Sequence, residues 1–168
     1  NHFDNKFGNT YKEIERDKVK IDFKIKLKIK GDKAFDIANF FSKQSSKLNY
    51  ILNKKFKPDL AILLGDRFEI LSVASILKIY TIPICHLHGG ESTSGLIDEK
   101  IRHAISKLSS IHFVSHDRYK KKLIKMGENP KYVYNFGALG LNNVKTSLLT
   151  KSKLEKMLQV KLNRKTFL

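Results

Sequence analysis

Three short runs hold most of the side chains that could move protons or grip an anion. They are Gly65-Asp66-Arg67-Phe68-Glu69, His86-Leu87-His88-Gly89-Gly90-Glu91 and Ile97-Asp98-Glu99-Lys100-Ile101-Arg102-His103. Carboxylates and imidazoles do general acid–base work when held near a substrate with tuned pKa values. Guanidinium groups hold carboxylates or phosphates. Each residue also has a plainer reading. Asp66, just after an apolar run, suits a helix N-cap as well as catalysis. Arg67 is a surface residue or an anion partner. Asp98 and Glu99 favour the positive start of a helix. Asp98 and Arg102 are four apart, so a helix sets both on one face, where they can pair. His103 is either a supporting residue or has no role.

In the middle run, His86 has the parity of a residue inside a strand and reads as a satisfied core histidine. His88 is nearer the strand mouth, and Glu91 follows it closely. Gly89-Gly90 lets backbone approach a ligand. Cys85, His86, His88 and Glu91 complete no spaced zinc set, so no metal is expected. No P-loop and no GxGxxG run is present. Ser115, His116 and Asp117 adjoin one another, which is not how a catalytic triad assembles.

The elements that must position these groups follow from periodicity. A short helix runs from Thr10 to Asp17, with Glu13 in the capping-box place. Residues 18–30 alternate apolar residues with mostly lysine, which predicts a strand with one buried face and a lysine face that resists edge pairing. Gly31 ends it, and Asp32 caps a helix over 34–54 with Ile37, Phe40, Phe41, Leu48, Ile51 and Leu52 as its stripe. Strands follow at 60–64, 82–87, 111–114 and 133–136, and helices at 67–78, 98–109, 116–126 and 151–158. Strands alternating with helices at this rhythm predict an α/β fold, a Rossmann-like parallel sheet with helices on both faces. Ligands of such sheets bind outside the carboxyl ends of strands. Two strand-end loops and one helix therefore bring carboxylates, imidazoles and guanidinium groups to one sheet edge. Residues 165–168 start a further apolar run.

Composition bounds the reading. At 168 residues, with 41% hydrophobic and 29% charged residues, the chain holds one ordinary globular domain. No run is long enough for a membrane span. The single cysteine excludes an internal disulfide framework and fits a reducing cytoplasm. Cys85 itself reads as a buried core thiol. A net charge of +17, from 33 Lys+Arg against 16 Asp+Glu, favours anionic partners. The lysines are spread along the chain with no recognition signature, which disfavours nucleic acid.

The runs GDRFE (65–69), HLHGGE (86–91), IDEKIRHAISKLS (97–109) and NFGALGL (135–141) resemble the hydrolysing UDP-N-acetylglucosamine 2-epimerases of sialic- and legionaminic-acid pathways. The resemblance covers nearly the whole chain. It implies the N-terminal Rossmann-like domain of a GT-B architecture over 1–150, lacking its first strand. Residues 151–168 would then be a linker and the start of a C-terminal nucleotide-binding domain. It implies catalytic roles for Asp66 and Asp98 and a functional arginine at Arg102. Glu91, close to His88, is taken as the third catalytic carboxylate, and Arg67, His88, Arg102 and His103 as the substrate-binding residues. Many members have Glu at the position of His88, so His88 and Glu91 are rivals for that group's work. The implied reaction converts UDP-N-acetylglucosamine to N-acetylmannosamine and UDP through a glycal, with no cofactor. The fragment alone is expected to be inactive, and a full-length form to be a homo-oligomer. The alternatives are a UDP-2,4-diacetamido-sugar hydrolase of the legionaminic type and, from another class, a basic nucleic-acid-binding module.

Overall fold

A computed structural model describes residues 8–92, 97–143 and 150–161. Residues 1–7 and the apolar run at 165–168 lie outside the described residues. The chain divides into two compact units, Asn1–Ala138 and Leu139–Leu168.

In the first unit, α1 (Tyr11–Arg16) and α2 (Ala34–Lys54) precede an alternation of β1 (Ala61–Leu64), α3 (Phe68–Ile79), β2 (Ile84–Leu87), α4 (Ile97–Leu108), β3 (Ile111–Val114), α5 (Asp117–Lys125) and β4 (Val133–Asn135). The four strands form one parallel sheet in the order β1-β2-β3-β4. The expected α/β class and parallel sheet are borne out, and the element bounds agree to within two residues.

Register explains the core. Leu63 pairs with His86, His86 with His112, and His112 with Val133, so these side chains share one face. That face is buried. Leu63 and Ile84 pack with Leu52 of α2, Ala74 and Leu77 of α3 and Ile105 of α4. Val114 and Val133 pack with Leu123 of α5. The opposite face carries Ile62 and Leu64, 64% and 56% exposed, and Phe136, 70% exposed. Among the described residues, the helical cover seen in these two clusters lies on the first face.

The expected strand at 18–30 is not formed. Residues 19–31 belong to no helix and no ladder. Their alternation is partly expressed: Ile21, Ile25, Leu27 and Ile29 are half-buried while the intervening lysines are exposed. Phe23 meets Phe56 at 5.7 Å between ring centres, and Phe23 and Ile25 lie beside Tyr50 and Ile51 of α2. Period two demands that one side of an extended chain be covered. A helix surface meets that demand without supplying a strand's hydrogen bonds.

Two cap assignments also change. The N-cap positions of α2 and α3 are Lys33 and Arg67, and neither makes a side-chain cap bond, so Asp32 and Asp66 do not act as caps. Thr10 does sit at the N-cap of α1, but without a side-chain cap bond.

The second unit contains a 3-10 turn at Leu139–Asn143 and α6 (Lys151–Leu158). Thr150 caps α6 by accepting from the Lys153 amide at 3.4 Å.

Candidate functional site

The carboxyl ends of β1, β2 and β3 each give way to a polar residue that the site uses. β1 ends in Gly65, whose φ of +98° is open to glycine and costly for other residues. That turn delivers Asp66. β2 ends in a turn through His88, Gly89 and Gly90 that delivers Glu91. β3 ends at Val114 and delivers Ser115.

Arg102, from the buried face of α4, ties these ends together. Its guanidinium donates to an Asp66 carboxylate oxygen, and its Nη1 lies 4.0 Å from Glu91 Oε2. Arg102 thus pairs with Asp66 across 36 positions rather than with Asp98, the partner that helix spacing offered. Its side chain is 10% exposed, and its Nε is buried without a hydrogen-bond partner among the described residues. Glu91 Oε1 lies 2.8 Å from His88 Nδ1 and accepts from the Ser115 hydroxyl. Burial pushes the Glu91 pKa up, but hydrogen bonds from Ser115 and His88, with the charges of His88 and Arg102, more than offset this and leave it below the usual carboxylate value. The site therefore holds an ionised carboxylate at neutral pH.

His86 supports the site from beneath. Its Nε2 donates to the Gly65 carbonyl oxygen at 2.9 Å, and its Nδ1 lies 3.0 Å from Ser106 Oγ. Burial is the main cause that pushes its pKa down to about 4, so the ring is neutral at pH 7. This is the satisfied core histidine that its parity indicated, and it steadies the turn before Asp66.

The glycine pair serves packing rather than an open approach to ligand. A Cβ on Gly90 would come within 2.9 Å of the Tyr119 carbonyl and Leu123 Cγ on α5, and one on Gly89 within 3.0 Å of His86 and Ser106. These contacts pin the β2 loop against α4 and α5, which fixes where His88 and Glu91 start.

Not every candidate joins this cluster. Asp98 lies one turn before Arg102 on α4 and is half-buried, and among the described residues it enters no ion pair. Arg67 is exposed and pairs with Glu69 at 3.0 Å. His103 sits 3.4 Å from Glu99, which Lys122 of α5 holds at 2.8 Å while also reaching Ser92. That group braces α4, α5 and the loop after β2. The contiguous Ser115-His116-Asp117 run is no triad, as expected: His116 caps α5 by accepting from the Arg118 amide, and Asp117 accepts from Asn135. Ser115 is the residue that sequence reasoning missed. Its signal was its place directly after an apolar strand run. Cys85 is buried, and burial raises its thiol pKa.

The unit is a parallel α/β sheet with an arginine spanning two carboxylates at the carboxyl ends of its strands, the edge where such sheets bind ligands. A sequence model described as UDP-N-acetylglucosamine 2-epimerase matches residues 1–168, and the chain belongs to that family. It is 44% identical over 168 residues to the GDP/UDP-N,N'-diacetylbacillosamine 2-epimerase (hydrolyzing) of Campylobacter jejuni, covering 99% of this chain and 43% of that protein. It is 38% identical over 143 residues to the UDP-N,N'-diacetylbacillosamine 2-epimerase (hydrolyzing) of Legionella pneumophila, covering 85% of this chain and 37% of that one. The chain thus spans less than half the length of these relatives. Among solved structures, the UDP-GlcNAc 2-epimerase from Neisseria meningitidis bound to UDP-GlcNAc superposes with a TM-score of 0.67 at 21% identity, over 75% of this chain and 34% of that one. At that identity the likeness speaks for the fold alone, the N-terminal half of a GT-B architecture. Among the described residues, no helix is long and apolar enough to cross a membrane.

Proposed function

We propose that this chain carries the acid–base part of a hydrolysing 2-epimerase acting on a UDP-linked 2-acetamido sugar. The observation that carries the reading is the Arg102 bridge between Asp66 and Glu91, with His88 on the same carboxylate. Elimination breaks the C2–H and C1–O bonds, forms the C1=C2 double bond of a glycal, and leaves UDP with the bonding pair. Water then adds at C1, and C2 regains a proton on the other face. The chemistry needs a base, an acid and a fixed charge near the leaving diphosphate. Asp66, Glu91 and Asp98 are the carboxylates for proton work, with His88 available beside Glu91. Arg102 sets its positive charge beside both Asp66 and Glu91, and that charge helps hold the Glu91 carboxyl below its usual value. Arg67 and His103 complete the proposed substrate contacts, Arg67 by exchanging Glu69 for the sugar nucleotide.

Of the two sugars that the motifs admit, the 2,4-diacetamido one has a specific support, since both relatives named above carry diacetylbacillosamine in their names. UDP-N-acetylglucosamine is the other. Residues 1–150 serve as the sugar-side domain and 151–168 lead toward a nucleotide-side domain. The reaction belongs to the cytoplasm and to sialic- or legionaminic-type acid synthesis, with a homo-oligomer as the working form. The test is UDP release from each of the two nucleotide sugars by the full-length protein, with product identification. Release of UDP with a 2-inverted free sugar from one of them supports the reading, and no release from either removes it.

A further inference from the structure

His88 is held in a backbone conformation that few non-glycine residues adopt, histidine more readily than most. Its φ is +61°, in the left-handed region where non-glycine residues are uncommon. Its amide donates to the Phe113 carbonyl at 2.9 Å, which anchors the turn to β3. Strain kept in place by surrounding structure at a strand mouth is a mark of a positioned side chain. The side chain is half-buried, and its Nδ1 is 2.8 Å from Glu91 Oε1. A carboxylate only accepts, so Nδ1 must carry the hydrogen. In the neutral ring, Nε2 is then a bare lone pair on the side away from Glu91.

What holds Glu91 in turn is Ser115. Its hydroxyl donates to the same Oε1 from the end of the neighbouring strand, 24 positions away. The other oxygen, Oε2, faces Arg102. With Oε1 taken by Ser115 and His88, the carboxylate has one rotamer that satisfies both sides. The arrangement is a base, an orienter and a third group fixing the orienter, the logic by which a histidine is held in a single tautomer.

We propose that Ser115 is a positioning residue for the reaction, acting through Glu91 to hold His88 in the tautomer whose Nε2 accepts the sugar's proton. The proposal rests on the epimerase reading of this site. In the elimination step the C2–H bond breaks and the proton goes to Nε2. The electron pair forms C1=C2, and the C1–O bond gives its pair to UDP. The imidazolium keeps its Nδ1–H on Glu91, whose negative charge offsets it. This divides the work between the two rivals at this position: His88 exchanges the proton, and Glu91 orients it.

Two readouts test this in the full-length protein, with the wild type, Ser115→Ala and Ser115→Thr. Nitrogen-15 histidine NMR, with His88 assigned through a His88→Gln variant, reads the tautomer. The wild type and Ser115→Thr are expected to show Nδ1–H, and Ser115→Ala a mixture with Nε2–H. In the UDP-release assay, Ser115→Ala loses about tenfold in kcat with KM within about twofold, the scale of one charge-assisted hydrogen bond, and Ser115→Thr recovers most of it. An active Ser115→Ala with wild-type kcat, or an unchanged tautomer, overturns the proposal while leaving the epimerase reading intact. A wild type that releases no UDP from either sugar overturns the epimerase reading itself, and the proposal with it.

Discussion

The sheet carries a histidine–glutamate pair at each of its two ends, and the two differ in almost everything but composition. At the carboxyl end, His88 and Glu91 are 2.8 Å apart and each 24% exposed. At the amino end, His112 Nε2 and Glu128 Oε2 are 3.1 Å apart and 1% and 11% exposed. Lys107 closes the second pair, reaching Glu128 Oε1 at 2.6 Å and donating to the Met126 carbonyl. That cluster staples the end of α4 to the loop between α5 and β4, with both members of the pair nearly enclosed. The first pair sits on a turn of positive φ beside Arg102 and Ser115, and both of its members are partly exposed. The same two side chains make a clamp where they are enclosed, and on the proposed function they handle protons where strand ends leave them partly exposed.

Breaking one member of each pair separates these roles. Glu91→Gln is expected to lower turnover by about 10²- to 10⁴-fold, the worth of a positioned acid–base group, while thermal unfolding changes little. Glu128→Gln is expected to do the reverse. It leaves a buried imidazole nitrogen poorly matched, costs roughly 1–3 kcal/mol in denaturant unfolding, and keeps kcat within about twofold of the wild type, well below the loss of an acid–base group.

A third histidine sharpens the comparison through pH. His86 is buried and neutral, with its pKa pushed down from 6.5 to about 4. The unfolded chain therefore takes up this proton first as pH falls. Stability from this group is complete above pH 6.5 and is lost as pH drops toward 4, by roughly 3 kcal/mol in all. His112 acts in the same direction, because burial lowers its pKa too. Denaturant unfolding at steps from pH 7 to pH 4 should show the decline, and His86→Gln should flatten part of it. A pH-independent wild type would contradict the buried, neutral assignment.

The smallest effect belongs to Lys107. Its side chain is 51% exposed, so its pair with Glu128 is screened by water. Lys107→Ala is expected to cost less than about 1 kcal/mol in the same unfolding assay. A larger loss would make the lysine, rather than the His112–Glu128 contact, the core of the clamp.

The sheet was legible because β1 to β4 are short apolar runs closed by turn residues, and α2 to α5 carry helical stripes. The run at 18–30 misled because alternation reports one-sided burial, and α2 supplies that cover as well as a strand would. At the site, Asp66, His88, Glu91 and Arg102 were legible from their positions after strand runs and on α4. Which of them touch was not. Helix spacing pointed Arg102 at Asp98, four residues away, whereas a carboxylate 36 positions away takes it because the glycine turn after β1 aims Asp66 at α4. Ser115 escaped notice because a lone serine at a strand end has no spacing signature; only the return of the β2 loop to β3 gives it a partner.

The central claim is that the Arg102-bridged carboxylates at the carboxyl edge do the chemistry. Asp66→Asn tests it most directly, since the change removes one charge, keeps the shape and spares the buried core. In the full-length protein the variant is expected to fold as the wild type does, by circular dichroism and melting, and to release UDP from the preferred nucleotide sugar at least about 10²-fold more slowly. Release at the wild-type rate would show that Asp66 only anchors Arg102, and would move the proton chemistry away from this edge.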